Sequence, residues 1–208
     1  MGVVHGEQVR ALEEHGASTG RSLEWWGMIF FIASEGLIFA NFIAAYLYLD
    51  IRSVPRGFIL PSGEHLPWQY PLINTFILLA SSGPVIWARQ GITKGNQRQL
   101  AQGLIATVVL GLVFLGGQVY EYISLYGEGF NVGFKTFGSA FFTLTGFHGL
   151  HVTIGAIFLF IVFLRSLRGD FTAKKHFAVE AAEMYWHFVD IVWIVVFTTV
   201  YLLPLLRG

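Results

Sequence analysis

The chain contains no cysteine. That absence excludes disulfides, thiolate-held iron–sulfur clusters, covalent attachment of c-type haem and any copper site built on a Cys sulfur. A cofactor would have only His, carboxylate or Tyr to hang on. Charge is scarce as well: Asp, Glu, Lys and Arg together make up 12% of the residues. The 13 basic residues balance 13 acidic ones, so no cationic excess is available to grip nucleic acid or anionic headgroups. The opening stretch "MGVVHGEQVRALEEHGASTGRSLE" lacks the apolar run of roughly 7–15 residues that a secretory leader needs. Targeting is therefore expected to rest on the first membrane helix.

What the chain has in abundance is apolar sequence. It is 54% hydrophobic with a mean hydropathy of +0.60, which places its 208 residues among membrane proteins. A bilayer core about 30 Å thick is crossed by roughly 20 apolar residues of helix. Five segments qualify: Trp25 to Leu49, Pro71 to Trp87, Leu100 to Tyr122, Phe137 to Leu164 and Met184 to Leu206. The expected fold is an all-α integral membrane protein with five transmembrane helices in one bundle. Residues 1–24 form an N-terminal cytoplasmic segment and 25–208 the membrane domain. Gly83 and Pro84 are expected to kink the second span. Its neighbouring links are the long "DIRSVPRGFILPSGEHLPWQY" and the short, polar "RQGITKGNQRQ". No internal repeat stands out.

Basic residues predict direction, because cytoplasmic loops retain Lys and Arg. Nine of them, including Arg89, Arg165, Arg168, Lys174 and Lys175, share the N-terminal side, against four on the other. The N-terminus is expected inside and the C-terminus outside.

Polar residues within these spans are the candidates for chemistry. A carboxylate at mid-bilayer costs about 2.5–3.5 kcal/mol on insertion scales, so it should face protein or a water-filled cavity. Glu35 lies 11 residues beyond Glu24, or about 16 Å into the membrane. It reads either as a titratable group in a proton path or as a protonated packing residue. Glu183, His187 and Asp190 follow one another at i, i+4 and i+7 on one face of the last span. Such a stripe binds helices together and could also conduct protons.

His148 and His151, in "GFHGLHVTIG", share a face of the fourth span, beside glycines that admit a neighbouring backbone. They read as metal or haem ligands, or as hydrogen-bonding anchors. Counted from the expected inner edges, His151 lies about 21 Å deep and His187 only about 7.5 Å. That mismatch favours anchors. In the third span, Gln118 and Tyr122 are i, i+4, while Glu121 is expected at the outer interface with the Tyr belt. No catalytic, cofactor-binding or metal-ligating residue is predicted.

"GSAFFTLTGFHGLHVTIG" and "EAAEMYWHFVDIVWIVVFTTVYL" resemble the two most characteristic stretches of subunit III of haem–copper oxidases. "SEGLIFANF", "PLINTFILLASS" and "LGGQVYEY" match further stretches in the family's order, so that the resemblance runs from Trp25 onward. Many members have seven spans, and this chain looks like the five-span bacterial form. The resemblance implies an accessory, non-redox subunit of a proton-pumping terminal oxidase in a bacterial plasma membrane, serving aerobic respiration. Haem and copper would reside in the partner catalytic subunit I, with none in this chain. Subunit II, a small subunit IV and membrane lipids, bound phospholipid among them, complete the implied partners, and no nucleic acid is expected.

The family's known roles are assembly, rapid proton uptake and resistance to inactivation during turnover. Glu35 matches its carbodiimide-reactive buried glutamate, although the flanking Gly36 and Leu37 replace a bulkier pattern. His148, His151, Glu183, His187 and Asp190 match positions that pack and hydrogen-bond among the subunit's own helices. The electron donor, cytochrome c or quinol, is recognised by other subunits. The competing readings are an accessory subunit of a nitric oxide reductase, a stand-alone b-type cytochrome using His148 or His151 with His187, and a small proton or solute transporter.

Overall fold

The computed structural model of the chain describes residues 22–52 and 66–207. Most of the expected cytoplasmic segment and much of the first link lie outside the described residues, as do His5, His15 and His65.

Five long helices follow one another: α1 (Leu23–Arg52), α2 (Gln69–Thr93), α3 (Gln97–Gly127), α4 (Lys135–Leu167) and α5 (Phe177–Phe197). The last continues through a π-helical turn, Thr198–Leu202, into the short α6 (Leu203–Arg207). All five are long and apolar enough to cross a membrane, the fifth counted over Phe177–Leu202. At about 1.5 Å per residue, the shortest still spans more than the ~30 Å hydrocarbon core. The protein is multi-pass and all-helical, as the hydrophobic runs predict.

Two boundaries differ from the sequence reading. The polar link expected between Arg89 and Gln99 shrinks to Lys94–Asn96, because polar residues at the membrane edge extend both helices. Gly95 takes the left-handed conformation (φ 75°) that closes α2, and the Asn96 side chain accepts from the Gln99 backbone N–H at 3.1 Å to open α3. α5 begins at Phe177, seven residues before the expected Met184, so His187 lies ten residues inside it. The depth count for His187 started too late. The helix α2 passes Pro84 as one continuous element.

α5 forms the centre. It packs against α4, α2 and α1, and 67% of its most apolar window is buried, against 6% for α1. Trp186 fills the middle, fully buried, in a slot whose walls are glycines. A Cβ on Gly111 would lie 2.6 Å from its ring, and one on Gly155 would lie 3.1 Å away. Its indole N–H donates to Ser81 Oγ at 2.8 Å. Two turns further along α5, Trp193 Nε1 donates to Thr75 Oγ1 at 2.8 Å. Both tryptophans thus obtain the partner a buried indole needs, from hydroxyls on α2.

Candidate functional site: polar centres between the spans

Three polar centres join the helices. The first links α1 to α4. His151 Nδ1 lies 2.8 Å from the Phe147 carbonyl, which can only accept, so this nitrogen carries a hydrogen. Its Nε2 lies 3.0 Å from Glu35 Oε2. One proton is therefore shared between Nε2 and the carboxyl group, and the pair is neutral overall whichever atom holds it. Phe39 and Phe147 close over the imidazole, with centroids 4.8 and 4.6 Å away. The His151 side chain is 6% exposed and that of Glu35 20%, so the carboxyl group forms the open end of the pair.

His148 departs from the expected role. It is buried, and neither ring nitrogen has a hydrogen-bonding partner among the described residues. The ring instead stacks on Trp193 (4.7 Å, 29°) and meets Phe114 edge-on. Three residues turn a helix by about 300°, so the two histidines diverge by some 60° and meet different neighbours. His151 reaches α1, and His148 enters an aromatic pocket between α3 and α5. It is a packing residue, and the expectation that it anchors by hydrogen bonds is corrected.

The second centre joins α2 to α5 and gathers Glu183, His187 and Asp190 as their spacing predicts. Ser82 Oγ donates to Asp190 Oδ2 and lies 3.1 Å from His187 Nδ1, from which it accepts. The imidazole Nε2 lies 3.9 Å from Glu183 Oε1, an ion-pair separation too long for a hydrogen bond. The other Glu183 oxygen takes Arg89 Nε at 2.7 Å. Arg89 and Ser82 were missed in the sequence. Arg89 stood just past the expected end of its span, and nothing in the spacing within α2 singles out Ser82.

The third centre joins α3 to the end of α5. Phe114, Gln118, Glu121 and Leu125 form one buried face of α3, so Glu121 turns inward instead of joining a Tyr belt at the interface. Its carboxyl oxygens accept from Gln118 Nε2 at 3.1 Å and from the Tyr201 hydroxyl at 2.7 Å. Tyr201 lies in the π-helical turn, where the extra residue per turn re-aims the following side chains. Tyr122, one position past Glu121, bonds Thr145 Oγ1 on α4 at 2.7 Å. Counting depth along α3 carried no information on rotation about its axis, and rotation decides that Glu121 faces protein.

Among the described residues no group of three or more His, Cys, Asp and Glu side chains is arranged to hold a metal ion. The structure brings Glu35 to His151 and joins the last-span stripe to α2. It does not bring His148 or His151 to His187.

A sequence profile described as cytochrome c oxidase subunit III matches residues 7–204. The chain belongs to the cytochrome c oxidase subunit III family. It is 44% identical over 180 residues to cytochrome c oxidase subunit 3 of Anopheles gambiae, an alignment covering 85% of this chain and 68% of that protein. The Equus caballus protein of the same name is 42% identical over the same length and shares. That of Drosophila melanogaster is 43% identical over 184 residues, again covering 85% and 68%. The chain is thus a subunit III of a respiratory terminal oxidase, a multi-pass membrane protein.

Proposed function

We propose that this subunit III carries no redox centre and serves the oxygen-reducing subunit of its complex by packing against it, supporting assembly, proton uptake and endurance during turnover. The supporting observation is how the intramembrane polar residues are employed. Glu35 is bound to His151, Glu183 to Arg89, Asp190 to Ser82 and Glu121 to Tyr201. Each bond ties one span to another, which is what a scaffold requires. The imidazoles of His151 and His187 are committed to side chains of this bundle, and that of His148 to aromatic rings. Haem and copper belong, on this reading, to the catalytic partner, beside a subunit II and a small fourth subunit. The N-terminus faces the side from which protons are taken up, as the basic links suggest. In a bacterium the membrane concerned is the plasma membrane.

The test is a reduced-minus-oxidised absorbance spectrum of the tagged chain purified in mild detergent, repeated after harsher detergent strips its partners. Haem signals and oxygen consumption should be present at first and leave with a larger polypeptide. Haem that stays on the isolated chain would overturn the proposal and turn His148, His151 and His187 into ligands.

A further inference from the structure

The third centre opens on a cavity that the packing of the spans does not use. It measures about 250 Å³ and lies at the end of the bundle where α2 begins and α3 finishes. Glu121, Ser124 and Glu128 follow one another at i, i+3 and i+7 along α3 and form one wall, two helical turns long. Pro67 and Pro71 face them, and Tyr70 adjoins Tyr120 with ring centroids 5.3 Å apart. Pockets for whole small molecules run from roughly 300 Å³ upward, so this one suits a small group or the tip of a longer chain.

The electrostatics of this cavity are one-sided. Glu121 is 6% exposed, and Glu128 is exposed at the mouth. No Lys, Arg or His among the described residues lines the cavity, and the two prolines have no backbone N–H to donate into it. Gln118 Nε2 and the Tyr201 hydroxyl hold Glu121 from outside the cavity, one donor to each oxygen. Both oxygens accept, as in an ionised carboxylate, and about two of its four acceptor sites stay open. A buried carboxylate without a counter-charge is costly, and a cation in the cavity removes that cost.

The walls decide what kind of cation fits. Among the described residues no three acidic, His or Cys side chains are arranged for a metal ion, so a bare ion would lack protein ligands. Tyrosine rings and proline carbons instead suit the methylenes beside an organic ammonium, whose charge is drawn to a ring face within about 6 Å. The three N–H donors of a primary ammonium match the open acceptor sites of Glu121 and the Ser124 hydroxyl. We propose that this cavity binds a primary alkylammonium group, held by Glu121 and Glu128 beside Tyr70 and Tyr120. The group arrives on a phospholipid headgroup, because the helix ends lie at headgroup level, or on a soluble amine.

The experiment is saturation-transfer NMR on the full chain, isolated with its native partners in mild detergent and washed free of phosphatidylethanolamine. Ethylamine is the soluble probe and ethanol its neutral counterpart. Ethylamine should receive saturation and ethanol should not. Glu121→Gln should lower the transfer about threefold or more. That change also touches the Tyr201 bond, so Glu128→Gln, at the exposed mouth, supplies a second reading with the packing left intact, and it too should lower the transfer. Displacement of ethylamine by phosphatidylethanolamine but not by phosphatidylglycerol supports the proposal with a lipid headgroup as the source. Displacement by putrescine but not by phosphatidylethanolamine supports it with a soluble amine. Equal transfer to ethylamine and ethanol would overturn it, as would transfer to ethylamine that is unchanged in both variants.

Discussion

α1 and α3 are nearly the same length, 30 and 31 residues, and both are strongly apolar, yet they are held in opposite ways. α3 lies tight against α2. A Cβ added to Gly103 would come within 2.7 Å of that of Ala88, and one added to Gly117 would meet the Asn74 amide, which donates to the Phe114 carbonyl at 3.0 Å. α1 has no such intimacy. It meets the bundle through a strip centred on Phe39 and the Glu35–His151 bond, and the rest of its circumference faces outward. Apolar composition takes a helix into the membrane, but small residues and hydrogen bonds decide what it touches there.

The sharpest way to break this contrast is to fill the tight side. Gly111→Leu drives a branched side chain into Trp186 and should cost about 1–3 kcal/mol or more. The measurement is thermal unfolding in detergent, and an unchanged midpoint would mean that the α3–α5 approach is looser than described. Ser81→Ala removes the acceptor of the Trp186 indole and leaves a buried N–H unsatisfied, for a loss of about 1–3 kcal/mol by the same assay.

On α1, Glu35→Gln should be nearly neutral, because an amide N–H can donate to His151 Nε2 in place of the carboxyl proton. Glu35→Leu leaves that nitrogen without a partner and should cost about 1–2 kcal/mol. Equal losses in the two variants would show that an amide does not replace the carboxyl group in this bond. The smallest effect is expected at Ile38 on the outer flank, where Ile38→Val should stay within about 0.5 kcal/mol in the isolated chain.

How far the sequence disclosed this arrangement can be judged from particular residues. The five spans were legible because each is a long apolar run, and the Glu183, His187 and Asp190 stripe because helical spacing alone puts those residues on one face. The α2–α3 turn was not, since Arg89, Gln90 and Gln97–Gln99 are polar enough to read as a loop while remaining helical at the membrane edge. The partners of the stripe, Arg89 and Ser82, depend on which helix stands beside α5, and no periodicity within one segment carries that. Glu35 and His151 were each singled out, but their pairing across 116 residues is a property of the packing. The divergence of His148 from His151 follows from a 60° rotation that sequence spacing contains, although what each ring meets depends on the fold.

The three-residue turn at Lys94–Asn96 bears on how the subunit is made. α2 and α3 touch through contacts close in the chain, so this hairpin can close as soon as it leaves the ribosome. α1 emerges ahead of this hairpin but is fastened to α4 by a bond to His151, which at about 5–20 residues per second is synthesised some 6–23 s after Glu35. During that interval α1 waits in the bilayer with Glu35 unclaimed. A helix made before α2 and α3 is thus secured only after those two have paired.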